Sequence, residues 1–205
     1  MRSSEDDGVV KYSSERRDGV VSDTINLSEL IRARTTLFDL GLIGAYPDGI
    51  GYGNLSLRTA GNQFAITGSA TGSQRELTRT QFCLVESFSL DDNRVQSLGI
   101  LHASSEAMTH GAIYASQCAA HCVMHIHSRI LFDALLRQGQ PATPADISYG
   151  TPAMAHSLAR LASERSQLPA LFVMAGHDEG IVAFGTDVAS TLELLVETFE
   201  RTHAS

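Results

Sequence analysis

Helical and strand patterns alternate along this chain, and that alternation constrains its fold more than any other feature of the sequence. Apolar residues recur at three- and four-residue spacing in segments 27–38 and 188–199, as they do on the buried face of a helix. Short apolar runs at 171–175 and 181–184 are typical of buried strands instead. The sequence therefore predicts an α/β fold in which a mixed or antiparallel sheet lies between helical layers.

Glycine, proline and capping residues mark the remaining elements. Further strands are predicted at 55–58, 63–67, 82–85 and 122–127. Helices are predicted to begin after Ser128, Thr151 and Asp187. Side chains of these types accept hydrogen bonds from the free backbone N–H groups at the start of a helix. Ser104 or Ser105 is predicted to cap another helix, which runs to about Cys118.

Composition limits the class of protein. The 205 residues suit one domain, and the polar residues 1–24 are interpreted as a flexible N-terminal extension of a folded domain at 25–205. The formal net charge is -8 and the basic residues are scattered, so nucleic acid is not an expected partner. The sequence has neither a signal peptide nor an apolar run of about 18 residues, which predicts a cytoplasmic protein with no membrane partner.

The clearest chemical signal is the segment His125-Ile126-His127. Side chains two residues apart on a strand project from the same face, so both imidazoles would stand side by side with Ile126 in the opposite layer. A chance pair is an equally good interpretation in a chain with 8 histidines, because two ligands do not make a metal site. Further ligands must come from elsewhere in the chain.

Four residues are candidates for those ligands, namely Glu106, His110, His121 and His177. Glu106 falls in the first turn of a predicted helix, where the helix dipole favours a carboxylate without any metal. His121 is expected at the surface, where a strand begins. His177 differs because it lies between the apolar runs 171–175 and 181–184, which places it at the mouth of the predicted sheet.

Two loops, at 47–54 and 68–73, consist mainly of small residues. Each loop alone is explained as a tight turn. Together, beside a set of histidines, they would offer convergent backbone N–H groups with no side chain in the way, which is what an anion requires.

Five motifs occur in an order that characterises one protein family. They are Gly53-Asn54-Leu55-Ser56, Ile66-Thr67-Gly68-Ser69, Ser104-Ser105-Glu106 with Ile113-Tyr114, His125-Ile126-His127 and Gly176-His177. This order, spread over residues 27–201, resembles the class II aldolase/adducin family, which includes L-fuculose-1-phosphate aldolase and L-ribulose-5-phosphate 4-epimerase. The resemblance implies a single-domain, three-layer α/β/α fold with a mostly antiparallel central sheet.

The resemblance also implies roles for particular residues. The matches to the family's zinc ligands are His125, His127 and His177. Glu106 matches the catalytic base, and Tyr149, or else Tyr52, stands in for the tyrosine that protonates the leaving group. The matches to the substrate-phosphate site are Gly53, Asn54, Ser69, Thr71, Gly72, Ser104 and Ser105. The implied cofactor is Zn²⁺, with Mn²⁺ or Co²⁺ as alternatives.

The function that the resemblance implies is zinc-dependent cleavage or formation of a C–C bond in a small hydroxy-carbonyl compound, a sugar or sugar phosphate, through a metal-stabilised enediolate. Dehydratases, epimerases and decarboxylases of the same fold remain alternatives. A non-catalytic, adducin-like interaction module is a further alternative, and loss of the metal histidines would be its mark. The family also implies a homotetramer.

The sequence departs from the family pattern at three places. The segment 138–153 is shorter than in the sugar-phosphate aldolases and lacks an obvious counterpart of their tyrosine-bearing loop. The loop at 68–72 is one residue longer, which leaves open which hydroxyl group meets a phosphate. Asp178 and Glu179 follow His177 where the family has glycine. One of these acids is expected either to bind an imidazole of the metal site or to repel an anionic substrate.

Overall fold

A sheet of eight strands forms the middle of this fold. The computed structural model describes residues 12–204. These residues form ten strands, eight in the large sheet and two in a hairpin. They are β1 (Ser13–Arg17), β2 (Gly44–Ala45), β3 (Gly51–Tyr52), β4 (Asn54–Arg58), β5 (Phe64–Thr67), β6 (Phe82–Ser89), β7 (Arg94–Leu98), β8 (Cys122–His127), β9 (Ala170–Val173) and β10 (Gly180–Gly185). The sheet order is β1-β7-β6-β5-β4-β8-β10-β9, and β2 and β3 form a separate hairpin. Neighbouring strands of the large sheet are antiparallel except β1 with β7.

Helices cover both faces of this sheet. They are α1 (Ser28–Asp39), α2 (Ala107–Ser116), α3 (Arg129–Arg137), α4 (Pro152–Ser163) and α5 (Val188–His203). α2 packs on α4, and α1 and α3 pack on α5. Alternate residues of the strands enter two separate apolar cores: Val123 and Phe184 belong to one, Met124 and Ala183 to the other. The predicted three-layer α/β/α fold with a mostly antiparallel sheet is therefore confirmed.

The helices α3, α4 and α5 begin at their predicted caps. The side chains of Ser128, Thr151 and Asp187 each accept a hydrogen bond from the backbone N–H three residues later, at 3.3, 3.3 and 2.8 Å. Within residues 12–204, none of the helices combines the length and the apolar character needed to cross a bilayer.

The helix α2 begins later than predicted. Ser104 and Ser105 are not its cap, because the first helical residue is Ala107 and Glu106 precedes it directly. The hydroxyl of Ser104 instead accepts the N–H of Glu106 at 3.3 Å, in the turn before the helix. The Glu106 side chain forms no capping hydrogen bond, so its carboxylate is not committed to the end of the helix.

The N-terminal segment is partly structured, which corrects the prediction of a flexible extension over 1–24. Ser13–Arg17 forms β1 at the edge of the sheet, and the hydroxyl of Tyr12 donates to the carbonyl of Ala103 at 2.9 Å. The side chains of β1 alternate between exposed and half-buried, so this polar edge strand carries no apolar pattern in the sequence. Residues 1–11 lie outside the described residues.

Strand β8 positions the histidine pair. It lies between β4 and β10. Val123 enters the core on the side of α2 and α4, and Ile126 enters the core on the opposite side, as predicted. His125 and His127 alternate with Ile126 and therefore project from the same face as Val123.

Candidate metal centre and adjoining cavity

Three histidine side chains converge at one end of the sheet. His125 and His127 come from β8, and His177 comes from the turn between β9 and β10. The Nε2 atoms of His125 and His127 are 3.0 Å apart, and those of His127 and His177 are 3.1 Å apart. All three residues are buried, with one potential ligand atom of each within 4.8 Å of the others. The histidines named from the sequence thus form a single cluster.

The turn before β10 brings His177 to the other two histidines. Its N–H donates to the carbonyl of Met174 at 2.8 Å, and its carbonyl accepts the N–H of Gly180 at 2.8 Å. Gly180 in turn is the register partner of His127. A Cβ at Gly180 would lie 2.8 Å from His177 Cδ2, closer than real contacts allow, so glycine is required at this position.

Outer hydrogen bonds orient two of the rings. His125 Nδ1 lies 3.1 Å from the carbonyl oxygen of Ile181, which only accepts, so Nδ1 carries the hydrogen. His127 Nδ1 lies 2.8 Å from the Tyr46 hydroxyl, which donates to Glu179 Oε2 at 2.8 Å, so this Nδ1 also carries a hydrogen.

The Nε2 atoms of His125 and His127 consequently point lone pairs at each other. Burial lowers the pKa of His125 to about 4, so this ring is neutral at pH 7. Lone pairs at 3.0 Å repel unless a cation lies between them. This donor set therefore fits a divalent metal ion, which His125, His127 and His177 could hold.

Glu106 lies beside the three histidines. Its side chain is buried, and its Oε1 is 4.0 Å from His177 Nε2. This places a carboxylate next to the cluster at a distance too long for a direct hydrogen bond. The sequence assignment of Glu106 to the site agrees with its position, and its role as a base stays a prediction.

The candidates His110 and His121 do not join the cluster. His110 is fully buried behind it, with Nδ1 2.7 Å from the Ser56 hydroxyl. Burial lowers the pKa of His110 well below its usual value, and His125 nearby adds to this effect. His121 is exposed at the turn before β8. Neither residue belongs to the group of potential ligands found within residues 12–204.

The rings of two tyrosines, Tyr149 and Tyr52, contact the histidine cluster. The Tyr149 ring stacks on His177, with ring centroids 4.3 Å apart and planes at 26°. The Tyr52 ring lies 5.5 Å from that of His127, but its hydroxyl donates to the carbonyl of Gly41 at 3.3 Å. Both rings therefore lie against histidines of the cluster, and the role of Tyr149 as a proton donor stays a prediction.

A cavity of about 220 Å³ adjoins the cluster. Its wall includes all the residues predicted to bind the substrate phosphate, which are Gly53, Asn54, Ser69, Thr71, Gly72, Ser104 and Ser105. Gly51, Gly53, Asn54 and Ser105 also line the space around the histidines and Glu106. The predicted metal and substrate groups thus lie along one continuous cleft.

Backbone donors line one side of this cavity. The N–H groups of Ala70, Thr71 and Gly72, three residues of its wall, donate to no acceptor among residues 12–204. The hydroxyl of Thr71 is occupied, because it donates to the carbonyl of Gly68 at 2.9 Å. The loop therefore presents peptide N–H groups, rather than the Thr71 hydroxyl, to an anion.

Arg34 supports this loop from behind, and no sequence motif indicated it. Its guanidinium is buried and donates to the carbonyls of Arg75, Thr71 and Gly72 at 2.7, 3.0 and 3.0 Å. In a planar trans peptide the N–H points opposite to the C=O, so these bonds turn the N–H groups of Gly72 and Ser73 away from Arg34.

The charge of Arg34 is also retained. Burial lowers the pKa of Arg34 to about 10, so the group stays cationic at neutral pH. No carboxylate within residues 12–204 forms an ion pair with it. A positive charge therefore lies directly behind a loop whose own residues at 68–73 are uncharged.

An ion-pair group lies at the rim of the site. Arg129 donates to Asp178 and lies 3.6 Å from Glu179 Oε1. Glu179 also contacts Tyr46, which in turn contacts His127. The sequence left two roles open for these acids, contact with an imidazole or repulsion of an anion. Glu179 does reach an imidazole, but through the hydroxyl of Tyr46, which no sequence motif indicated.

Fold and site together define a class of protein, an α/β domain with a buried three-histidine centre able to hold a divalent metal. Residues 29–203 match the Class II Aldolase and Adducin N-terminal domain family, and the chain belongs to this family. The resemblance seen in the motifs is thus confirmed. Among curated proteins, none matches the chain.

Solved structures share this fold at low sequence identity. L-fuculose-1-phosphate aldolase from Thermus thermophilus is 22% identical, with a TM-score of 0.62 over 86% of this chain and 90% of its own. YgbL from Escherichia coli, whose name leaves open an aldolase, an epimerase or a decarboxylase, is 20% identical, with a TM-score of 0.64 over 86% of each chain. A sugar-phosphate aldolase from Thermotoga maritima is 19% identical, with a TM-score of 0.58 over 86% and 92%. These similarities establish the fold.

Proposed function

We propose that this protein is a zinc-dependent aldolase that cleaves or forms a C–C bond in a small hydroxy-carbonyl compound, a sugar or sugar phosphate. The observation that carries the proposal is the convergence of three buried Nε2 atoms beside the buried Glu106 carboxylate. Three nitrogen ligands are typical of a catalytic zinc site, in which a further position is open to substrate. Mn²⁺ and Co²⁺ are alternative ions for the same ligands.

The chain's own groups supply the proton transfers in this proposal. In the direction that forms the bond, Glu106 accepts a proton from the carbon beside the substrate carbonyl. The Tyr149 hydroxyl donates a proton to the oxygen of the incoming aldehyde. In cleavage the two transfers run in reverse: the Tyr149 oxygen takes back the proton from the hydroxyl group, and Glu106 returns its proton to the carbon. His125, His127 and His177 would hold the Zn²⁺, which would supply a Lewis acid for the negative charge on the substrate oxygens.

The adjoining cavity supports an anionic substrate. Its N–H groups at 70–72 and the Arg34 charge behind them favour a phosphate, although the net charge of the protein is -8. Donors at hydrogen-bond distance outweigh a diffuse surface charge, which salt screens within about 8 Å. Asp178 and Glu179 share Arg129, which reduces their repulsion of an anion at the rim.

Dehydration, epimerisation and decarboxylation remain second candidates. YgbL, whose name includes two of these activities, has a TM-score of 0.64 to this chain, against 0.62 for the L-fuculose-1-phosphate aldolase. A non-catalytic interaction module fits less well, because such a module has no use for three convergent histidines and a buried glutamate.

The experiment that tests this function measures turnover and phosphate inhibition together. The zinc-loaded protein is expected to release an aldehyde from ketose 1-phosphates faster than from the free ketoses, and inorganic phosphate is expected to compete with the substrate. Ser105→Ala removes a hydroxyl from the cavity wall, so it should raise the inhibition constant of phosphate about tenfold without loss of zinc. Ser73→Ala is the matched control, since this exposed serine does not line the cavity.

Other products would assign the site differently. Loss of water or of carbon dioxide in place of aldehyde release would replace the aldolase with a dehydratase or a decarboxylase. Equal rates on free and phosphorylated ketoses, with phosphate without effect, would contradict the anion site.

We also propose a homotetramer. Ile130 and Leu136 expose large apolar side chains on α3, at 57% and 39%, which supports contacts between subunits. Light scattering at micromolar concentration is expected to give about four times the chain mass of 22.0 kDa. A monomeric mass would contradict this prediction.

A further inference from the structure

A chain of hydrogen bonds links an acid at the rim to one metal-facing ring. Glu179 Oε2 accepts the Tyr46 hydroxyl at 2.8 Å, and the Tyr46 oxygen lies 2.8 Å from His127 Nδ1. His125 has a weaker partner, since among residues 12–204 its Nδ1 donates to the neutral carbonyl of Ile181, at 3.1 Å. One ring of the pair on β8 is therefore tied to a carboxylate and the other is not.

The fold holds both members of this chain firmly. Tyr46 lies in the β2–β3 hairpin, where its N–H donates to Ile50 and its carbonyl accepts from Gly49, both at 2.8 Å. Glu179 has a φ of 65°, in the left-handed region, and its carbonyl accepts the N–H of Ser128 at 3.1 Å. A non-glycine backbone persists in this region only where the surrounding structure holds it.

We propose that Tyr46 and Glu179 are positioning residues that set the metal affinity of the site through His127. The carboxylate orients the hydroxyl, the hydroxyl oxygen holds the hydrogen on Nδ1, and the Nε2 lone pair is thereby directed at the metal and made more basic. The proposal rests on the divalent metal that the proposed function requires. It does not depend on which reaction the enzyme catalyses.

The test compares Tyr46→Phe and Glu179→Gln with the control Tyr52→Phe. The Tyr52 ring also lies against His127, but its hydroxyl donates to Gly41, so this control removes a hydroxyl without touching the hydrogen-bond chain. Zinc affinity is measured by competition with a chromophoric chelator. We expect Tyr46→Phe and Glu179→Gln to weaken it by about 10- to 100-fold, and Tyr52→Phe to change it less than about threefold.

A second measurement reads the ring itself. In the metal-free protein, ¹⁵N chemical shifts of His127 should show the hydrogen on Nδ1 in the parent chain and a mixture of tautomers in Tyr46→Phe. Glu179→Gln alters the same hydrogen-bond chain without changing the tyrosine. Circular dichroism checks that each variant is folded.

The outcomes separate the two proposals. If the parent chain binds zinc and Tyr46→Phe and Glu179→Gln match Tyr52→Phe in affinity and tautomer, this inference is wrong and the proposed function stands. If the parent chain itself binds no zinc, both are wrong.

Discussion

Replacing His127 with alanine is expected to remove the bound divalent ion and with it nearly all activity. The Nε2 of His127 lies 3.0 Å and 3.1 Å from those of His125 and His177, so it is the central ligand of the three. The remaining two imidazoles bind a catalytic ion too weakly to retain it when the protein is diluted. Elemental analysis should find about one ion per chain in the parent protein and less than about 0.1 in the variant, and turnover should fall at least about a thousandfold.

A matched control is available directly before the same strand. His121 is exposed directly before β8 and does not belong to the cluster, so His121→Ala should keep the metal and the activity. His125→Ala should behave like His127→Ala. Stoichiometric metal in both His125→Ala and His127→Ala would rule out the assignment of these ligands.

Much of the fold follows from local patterns in the sequence. The caps of α3, α4 and α5 were predictable because Ser, Thr and Asp side chains satisfy backbone N–H groups locally, whatever the tertiary structure. The alternation in β8 likewise determined that Ile126 and the two histidines face opposite layers. Elements with a buried face leave such a pattern.

The strand β1 leaves no such pattern. Its residues, Ser13–Arg17, are all polar, and the strand exists because its backbone pairs with β7 at the edge of the sheet. Backbone hydrogen bonding does not depend on side-chain type, so a polar edge strand resembles a flexible segment in the sequence. Only the position of β7 in the folded sheet determines it.

The site likewise contains residues that the sequence indicated and residues that it did not. Its histidines, Glu106 and the small-residue loops were recognisable because each belongs to a short motif and the order of these motifs along the chain resembles that of a known family. Tyr46 was not, since its contact with His127 spans 81 positions and depends on how the β2–β3 hairpin folds over the site. Arg34 does have a signal in the sequence, which is its place on the same helical face as Leu30 and Leu37. A charged residue on a buried face must find buried partners.

Glu106→Gln should separate proton transfer from metal binding. The side chain is buried next to His177 and makes no capping bond, so glutamine, with nearly the same volume, should preserve the fold. An amide cannot accept the proton from the carbon beside the substrate carbonyl. Turnover is therefore expected to fall by about 10²- to 10⁴-fold, as for removal of a general base, while zinc content stays near one per chain.

Comparison with Glu179→Gln distinguishes the loss of a base from the loss of metal affinity. Both changes neutralise an acid near the histidines, but Glu179 contacts Tyr46, which in turn contacts His127, whereas Glu106 lies 4.0 Å from His177 Nε2. Saturating zinc should therefore restore much of the activity of Glu179→Gln and none of the activity of Glu106→Gln. A loss of less than about tenfold in Glu106→Gln, measured with zinc saturating, would mean that another group takes the proton.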